Sequence, residues 1–284
     1  MGIIVTGATG HLGRHVVEQL LGKVPADQVT AVVRNPAKAD DLAGRGVRLA
    51  VADYNTPGTF GELFSAGDKV LLISGNEFDK GRVQQHRVVI DAAEAAGVAL
   101  FAYTSAPGTL TAALADDHRA TEEALLASGL PYVLLRNGWY HENYTENLAP
   151  VLEHGAVVQA GGEGRISSAA RADYAAAAVA VLTGEGHENR TYELGGDEAW
   201  GFAEYAAELS RQTGREIAYT PVSADAYAGI LSGAGVPEPL PAVLAGVDAS
   251  IEKGELVVPG GELSRLAGRP TTPLAEAIRA ALGD

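Results

Sequence analysis

The chain has 284 residues, no cysteine, and 36 acidic against 21 basic side chains, a formal charge of −15. That balance argues against nucleic acid and anionic membranes as partners, and the lack of cysteine excludes disulfides, thiolate catalysis and zinc–cysteine sites. With 46% hydrophobic residues the chain can build one large α/β domain, or one with a smaller satellite, and no uncharged apolar stretch approaches the ~18 residues of a membrane span.

The first predicted strand, residues 2–6, runs into Gly7-Ala8-Thr9-Gly10-His11-Leu12-Gly13 and a helix over 11–21. This G-x-x-G-x-x-G turn suits a dinucleotide. Glycines let the backbone approach a pyrophosphate, and the helix start offers unpaired N–H groups to the anion. Strand 29–34 stops at Asn35-Pro36 and leads into a short helix over 36–42. Strand 48–52 closes on Asp53-Tyr54, and a helix follows over 56–64. Strand 69–74 ends at Gly75-Asn76, helix 81–96 ends at Gly97, and strand 100–104 closes on Ser105. A helix over 117–128 stops at Gly129 before strand 132–136.

The later chain is less regular. Residues 143–152 read as helical, 157–160 as a short strand, 174–182 as an alanine-rich helix and 190–194 as a strand. A helix over 202–213, a strand over 217–221 and helices over 222–234, 240–252 and 274–282 complete the pattern. Strand–helix alternation predicts an α/β fold: a Rossmann-like parallel sheet with helices on both faces and a smaller C-terminal α/β lobe. The expected division is a dinucleotide-binding domain over 1–150, with sheet contributions from later segments, and a substrate-side lobe over 151–284. Gly7 already lies in the first turn, so no leader is read before it and a cytoplasmic location is expected.

Arg34 ends the second strand, where the adenine ribose arrives in such folds. An acid there would read as NAD; a cation pairs with a 2′-phosphate and reads as NADP, so NADPH is expected, with NADH weaker. Asp53 either meets the adenine amine or caps the turn at Thr56. Ser74 and Gly75 after the fourth strand, and Thr104 and Ser105 after the fifth, stand where nicotinamide, ribose and pyrophosphate are expected; their hydroxyls contact ligand or end strands. No Tyr and Lys four apart follow the fifth strand. That disfavours alcohol dehydrogenation and suits hydride transfer to an electron-poor acceptor such as a quinone. The run Asn137-Gly138-Trp139-Tyr140-His141-Glu142-Asn143-Tyr144 reads as a substrate wall or as a local packing cluster. Tyr140 and His141 are candidate proton donors there, and Phe78 a further wall residue. His86 reads as structural, Glu122-Glu123 as a solvated face with one partly buried acid, and Gly161-Gly162-Glu163-Gly164 as a loop. No metal spacing is present.

The runs G-A-T-G-H-L-G, V-R-N-P-A-K-A, A-D-Y at 52–54, A-Y-T-S at 102–105 and L-L-R-N-G-W-Y-H-E-N-Y at 134–144 resemble the NmrA-like atypical short-chain dehydrogenases, in particular the bacterial type 2 NAD(P)H:quinone oxidoreductases. R-A-D-Y-A-A-A-A at 171–178, G-H-E-N-R-T-Y-E-L at 186–194 and G-R-P-T-T at 268–272 extend the likeness almost to the C-terminus. The resemblance implies NADPH binding without flavin or metal, and hydride transfer to a small-molecule quinone or another electron-poor aromatic acceptor; a homodimer is compatible with it. It implies that Gly7, Thr9, Gly10, His11 and Leu12 hold the pyrophosphate and Arg34 the 2′-phosphate. Ser74, Gly75, Tyr103, Thr104 and Ser105 then line the nicotinamide side, and Asn137, Trp139 and Tyr140 border the acceptor, Asn137 or Tyr140 stabilising its oxyanion. His11 stands where the quinone reductases carry Gln, and can still donate a hydrogen bond. Triphenylmethane dye reductases share the A-T-G-x-L-G turn, V-R-N and G-H-E-N, and Val236 to Pro239 resembles them equally. A dinucleotide sensor without turnover, as in the NmrA regulator, is the reading from another class.

Overall fold

Short apolar runs, many of them β-branched, form the strands, and alanine recurs in the longer helices after the first. The computed structural model describes residues 2–76 and 81–283. Its strands are β1 (Ile3–Val5), β2 (Val29–Val33), β3 (Arg48–Val51), β4 (Lys69–Leu72), β5 (Leu100–Ser105), β6 (Tyr132–Asn137), β7 (Ala156–Gln159), β8 (Arg165–Ile166), β9 (Arg190–Leu194), β10 (Trp200–Gly201) and β11 (Ala218–Pro221). The helices are α1 (His11–Leu20), α2 (Asp40–Gly44), α3 (Arg82–Ala96), α4 (Leu114–Ala127), α5 (Glu142–Thr145), α6 (Ala149–His154), α7 (Arg171–Thr183), α8 (Phe202–Thr213), α9 (Ala224–Gly233), α10 (Leu240–Glu252), α11 (Glu262–Ala267) and α12 (Leu274–Leu282).

Seven strands make one sheet in the order β3-β2-β1-β4-β5-β6-β9. The pairs from β3 to β6 are parallel. β9 follows β6 in the same direction, since the Asn189 N–H bonds the Tyr132 carbonyl at one end and the Gly138 N–H bonds the Leu194 carbonyl at the other. The order reverses between β1 and β4, the switch point at whose carboxyl ends ligands bind in open α/β sheets. All six residues of β5 are buried, as a strand covered on both faces must be. One face buries Ile4, Val32, Val70, Leu72, Phe101 and Leu134 with α3 and α4 residues such as Val89 and Leu125. α7 packs on α1 and lies against β4 and β5.

The chain separates into two compact units. The first takes Met1–Ala106, Asp117–Arg136 and Arg171–Tyr192; the second takes Pro107–Asp116, Asn137–Ala170 and Glu193–Asp284. In the second, β7 pairs in parallel with β11 and β8 antiparallel with β10, among α5, α6 and α8 to α12. This is the smaller α/β lobe.

Several elements depart from expectation for local reasons. The helix expected over 56–64 is only a 3-10 turn, Pro57–Phe60, in a segment loosened by Gly58 and Gly61; Phe60 anchors it in the core. The helical segment expected over 143–152 is split into α5 and α6, because Pro150 is tolerated only in the first turn of α6. Residues 36–42 form a 3-10 turn, Pro36–Ala39, before the five-residue α2. The helix α11 and the two-residue strands β8 and β10 give too short a pattern to read. Among the described residues no helix is long and apolar enough to cross a membrane.

Candidate functional site

The turn after β1 is built as the glycines require. Gly7 takes φ +61°, a left-handed conformation that favours glycine. A Cβ on Gly13 would stand 2.2 Å from the Gly7 carbonyl oxygen and 2.8 Å from the Ala8 Cα, so the turn and the first coil of α1 are in backbone contact. The Ala8 N–H bonds the Val32 carbonyl at 3.3 Å and brings the turn to the end of β2. Helix α1 starts at His11 after the N-cap Gly10, with no side-chain cap among the described residues and no acid in its first turn. The first N–H groups of a helix have no intrahelical acceptor, so this end offers donors and a positive dipole, with no acid in its own first turn. Gly7, Gly10 and His11 are exposed, Thr9 is half-buried and Leu12 is turned into the core. These features fit a pyrophosphate.

Arg34 is exposed directly after β2. Arg14 on α1 reaches across to the Lys38 carbonyl at 2.9 Å and the Asp41 carboxylate at 2.6 Å, tying the Arg34–Lys38 stretch to the same helix. Asp53 Oδ1 accepts from the Asn55 N–H at 2.9 Å, a local turn that leaves the start of the Pro57–Phe60 turn at Thr56 without a side-chain cap among the described residues.

Side-chain hydrogen bonds stitch the strand ends together at the switch point. Thr6 Oγ1 accepts from the Ile73 N–H at 3.1 Å, and the Tyr54 hydroxyl lies 2.6 Å from Thr6 Oγ1 and 3.0 Å from the Ile73 carbonyl. Burial keeps that phenol well above the usual tyrosine range, so it acts as a neutral strut. Thr104 Oγ1 accepts from the Ser74 N–H at 2.9 Å. Gly75 donates its N–H to His86 Nε2 at 3.0 Å, and His86 Nδ1 lies 2.9 Å from Thr121 Oγ1. Burial, helped by the Arg82 charge, pushes His86 down to about 3, which keeps the ring neutral and its Nε2 lone pair available to Gly75. His86 is thus structural, and it holds the loop after β4. Tyr103 turns inward: it is fully buried, with its hydroxyl 2.9 Å from His118 Nδ1. Ser105 donates to Glu122 Oε1 at 2.5 Å, and Arg136 grips the same carboxylate.

In the second unit the 137–141 segment is pinned from both sides. Gly138 N–H bonds the Leu194 carbonyl, and Ala169 exchanges bonds with Trp139 and His141. Trp139 and Tyr140 are half-buried. Asn137 is buried, and its Oδ1 has no hydrogen-bond partner among the described residues. Such an atom costs free energy unless a donor reaches it. His141 is only 2% exposed, with Nε2 2.9 Å from the Thr272 carbonyl and Nδ1 2.9 Å from Ser168 Oγ, which also accepts from the Trp200 indole. Both ring nitrogens are therefore engaged inside the unit. Phe78 lies outside the described residues. Among the described residues no group of His, Cys, Asp and Glu is arranged to hold a metal ion.

The sequence did not single out Tyr54, Glu122 or Arg136 as site residues. Glu122 reaches Ser105 and Arg136 across 17 and 14 residues, a spacing with no local signature. The only signal for Glu122 was the acidic pair, of which Glu122 is buried and Glu123 exposed.

Comparison with known proteins agrees with this geometry. A family model described as NAD(P)H-binding matches residues 7–185. The chain is 47% identical to quinone oxidoreductase 2 of Escherichia coli over 278 residues, 97% of each chain. It superposes with a TM-score of 0.95 and 46% identity on an NADPH-dependent quinone oxidoreductase from Escherichia coli crystallised with NADPH, covering 99% of both chains. Against a Citrobacter sp. triphenylmethane reductase complexed with NADP(H) the TM-score is 0.94 and the identity 41%, over 99% of this chain and 100% of that one. With the uncapped glycine turn at the switch point of a 3-2-1-4-5-6 sheet, these matches show that the chain belongs to the NAD(P)H-binding, NmrA-like family and resembles its quinone oxidoreductase 2 type.

Proposed function

We propose that the protein is an NADPH-dependent reductase that reduces quinones without flavin. The observation that carries the reading is the full-length similarity to a quinone oxidoreductase crystallised with NADPH. It is supported by a first turn whose glycine contacts leave an uncapped, acid-free helix end. When bound, the nicotinamide supplies the hydride. The chain's own residues position and shield it. Gly7, Thr9, Gly10, His11 and Leu12 seat the pyrophosphate on the helix end, and Arg34 takes the 2′-phosphate. The Thr104 and His86 bonds hold Ser74 and Gly75 in place at the end of β4. On the acceptor side, Trp139 and Tyr140 offer ring faces, and the amide of Asn137 and the hydroxyl of Tyr140 meet the oxygen that gains charge.

Oxidation of NADPH followed at 340 nm with a small quinone tests the activity. Turnover supports it, whereas tight NADPH binding with no turnover of quinones, dyes or aldehydes supports a sensor instead. Arg34→Ala is expected to weaken NADPH binding roughly 10- to 100-fold, the worth of one or two charge-assisted hydrogen bonds, and to leave NADH use nearly unchanged. Equal losses for both coenzymes, measured as kcat/KM, would remove the 2′-phosphate assignment. Trp139→Ala is expected to lower kcat/KM for quinones about tenfold or more with little change in the NADPH Kd. Unaltered kcat/KM for a panel of quinones would take Trp139 out of the acceptor wall.

A further inference from the structure

Ser105 ends β5, and its only proton is committed inward. The hydroxyl donates to Glu122 Oε1 at 2.5 Å. That carboxylate is held in a fork by Arg136 at the end of β6, with Nε 2.9 Å from Oε1 and Nη2 2.6 Å from Oε2. A forked guanidinium fixes the plane of the carboxylate as well as its charge. Ser105 is 4% exposed and Glu122 6% exposed, so water competes little for these bonds. A serine hydroxyl has one proton and two lone pairs, and a carboxylate oxygen only accepts. With its proton on Glu122, Ser105 Oγ has only acceptor capacity left.

We infer that Glu122, locked by Arg136, is a positioning residue that makes Ser105 a hydrogen-bond acceptor for the amide N–H of the nicotinamide carboxamide. The inference rests on the coenzyme reading above and deepens it. Ser105 accordingly does not donate to the oxygen of the electron acceptor, unlike a serine that works beside a catalytic tyrosine. Glu122 acts on the coenzyme only through the orientation of that hydroxyl.

The test is binding of NADP+ against its 3-acetylpyridine analogue, in which an acetyl group without N–H replaces the carboxamide. Calorimetry of the wild type is expected to show NADP+ bound about tenfold tighter than the analogue, the worth of one neutral hydrogen bond. Ser105→Ala is expected to shrink that preference to about twofold or less, chiefly by weakening NADP+. Glu122→Gln frees the hydroxyl to turn and is expected to shrink it as well. A purely structural role for Ser105 would change melting temperature and both affinities together and leave the ratio intact. Ser105→Ala removes one oxygen and retains the Glu122–Arg136 pair, so it tests the Ser105 contact even where Glu122→Gln does not fold, and a preference retained in a folded Glu122→Gln removes the role of Glu122. A preference retained in Ser105→Ala, or absent from the wild type, overturns the inference alone. Failure to bind either coenzyme overturns the coenzyme reading and the inference with it.

Discussion

Gly13→Ala is expected to raise the Kd for NADPH by at least about a hundredfold and to lower the melting temperature. The added methyl would meet the Gly7 carbonyl oxygen at 2.2 Å and the Ala8 Cα at 2.8 Å, both backbone atoms that no rotamer change can move. The turn must therefore open or α1 must slide, and overpacking of this kind costs typically 1–3 kcal/mol of stability. Either shift moves the first-turn N–H groups away from the pyrophosphate, and several charge-assisted bonds are lost together. Gly44→Ala is the matched control: a Cβ there meets nothing within 4 Å, so stability and coenzyme affinity should stay near those of the wild type. Titration calorimetry and thermal melts of both variants check the pair. Wild-type affinity in Gly13→Ala would mean that the coenzyme does not depend on this turn.

The second large effect concerns Asp248 on α10, in the second unit. Its carboxyl is 3% exposed, and Oδ2 accepts from the Ala160 N–H at 2.6 Å. Its charge, when present, raises the phenols of Tyr144 on α5, Tyr219 on β11 and Tyr227 on α9. Burial pushes this carboxyl up to about 7, against a partial pull downward from the Ala160 N–H. Because the folded value lies above the unfolded 3.8, the folded state binds the extra proton between the two. Its contribution to stability is complete below the unfolded value, falls as pH rises toward 7, and is fully lost above 7. At about 1.4 kcal/mol per pH unit the loss is on the order of 4 kcal/mol. Asp248→Asn keeps an acceptor for Ala160 and cannot ionise. Its stability relative to the wild type should therefore rise from pH 4 to 7 by roughly that amount and then level off. Urea midpoints for both proteins at pH 5 and pH 8 measure this. Parallel pH dependence in the two proteins would show that Asp248 does not titrate there.

The sheet was legible because its strands carry their own stop signals. Asn35-Pro36, Gly75-Asn76 and Ser105 each follow an apolar run; β5 ends at Ser105, β2 two residues before Asn35 and β4 three residues before Gly75. The glycine turn was legible because its demand is local: one left-handed residue and one close backbone approach within seven positions. What escaped depends on contacts between distant segments. Nothing around Glu122 says that it will face Ser105 and Arg136, and nothing around His141 says that Ser168 and Thr272 will engage both its nitrogens. The 56–64 and 143–152 segments misled because helical periodicity continues through Gly58 and Pro150, whereas the backbone does not.

The central claim is that a phosphorylated dinucleotide sits on the first turn with its 2′-phosphate at Arg34. The most direct measurement is calorimetric titration of the purified protein with NADPH and with NADH under the same conditions. The account predicts one NADPH per chain, bound at least about tenfold more tightly than NADH. No heat of binding with either coenzyme would contradict it.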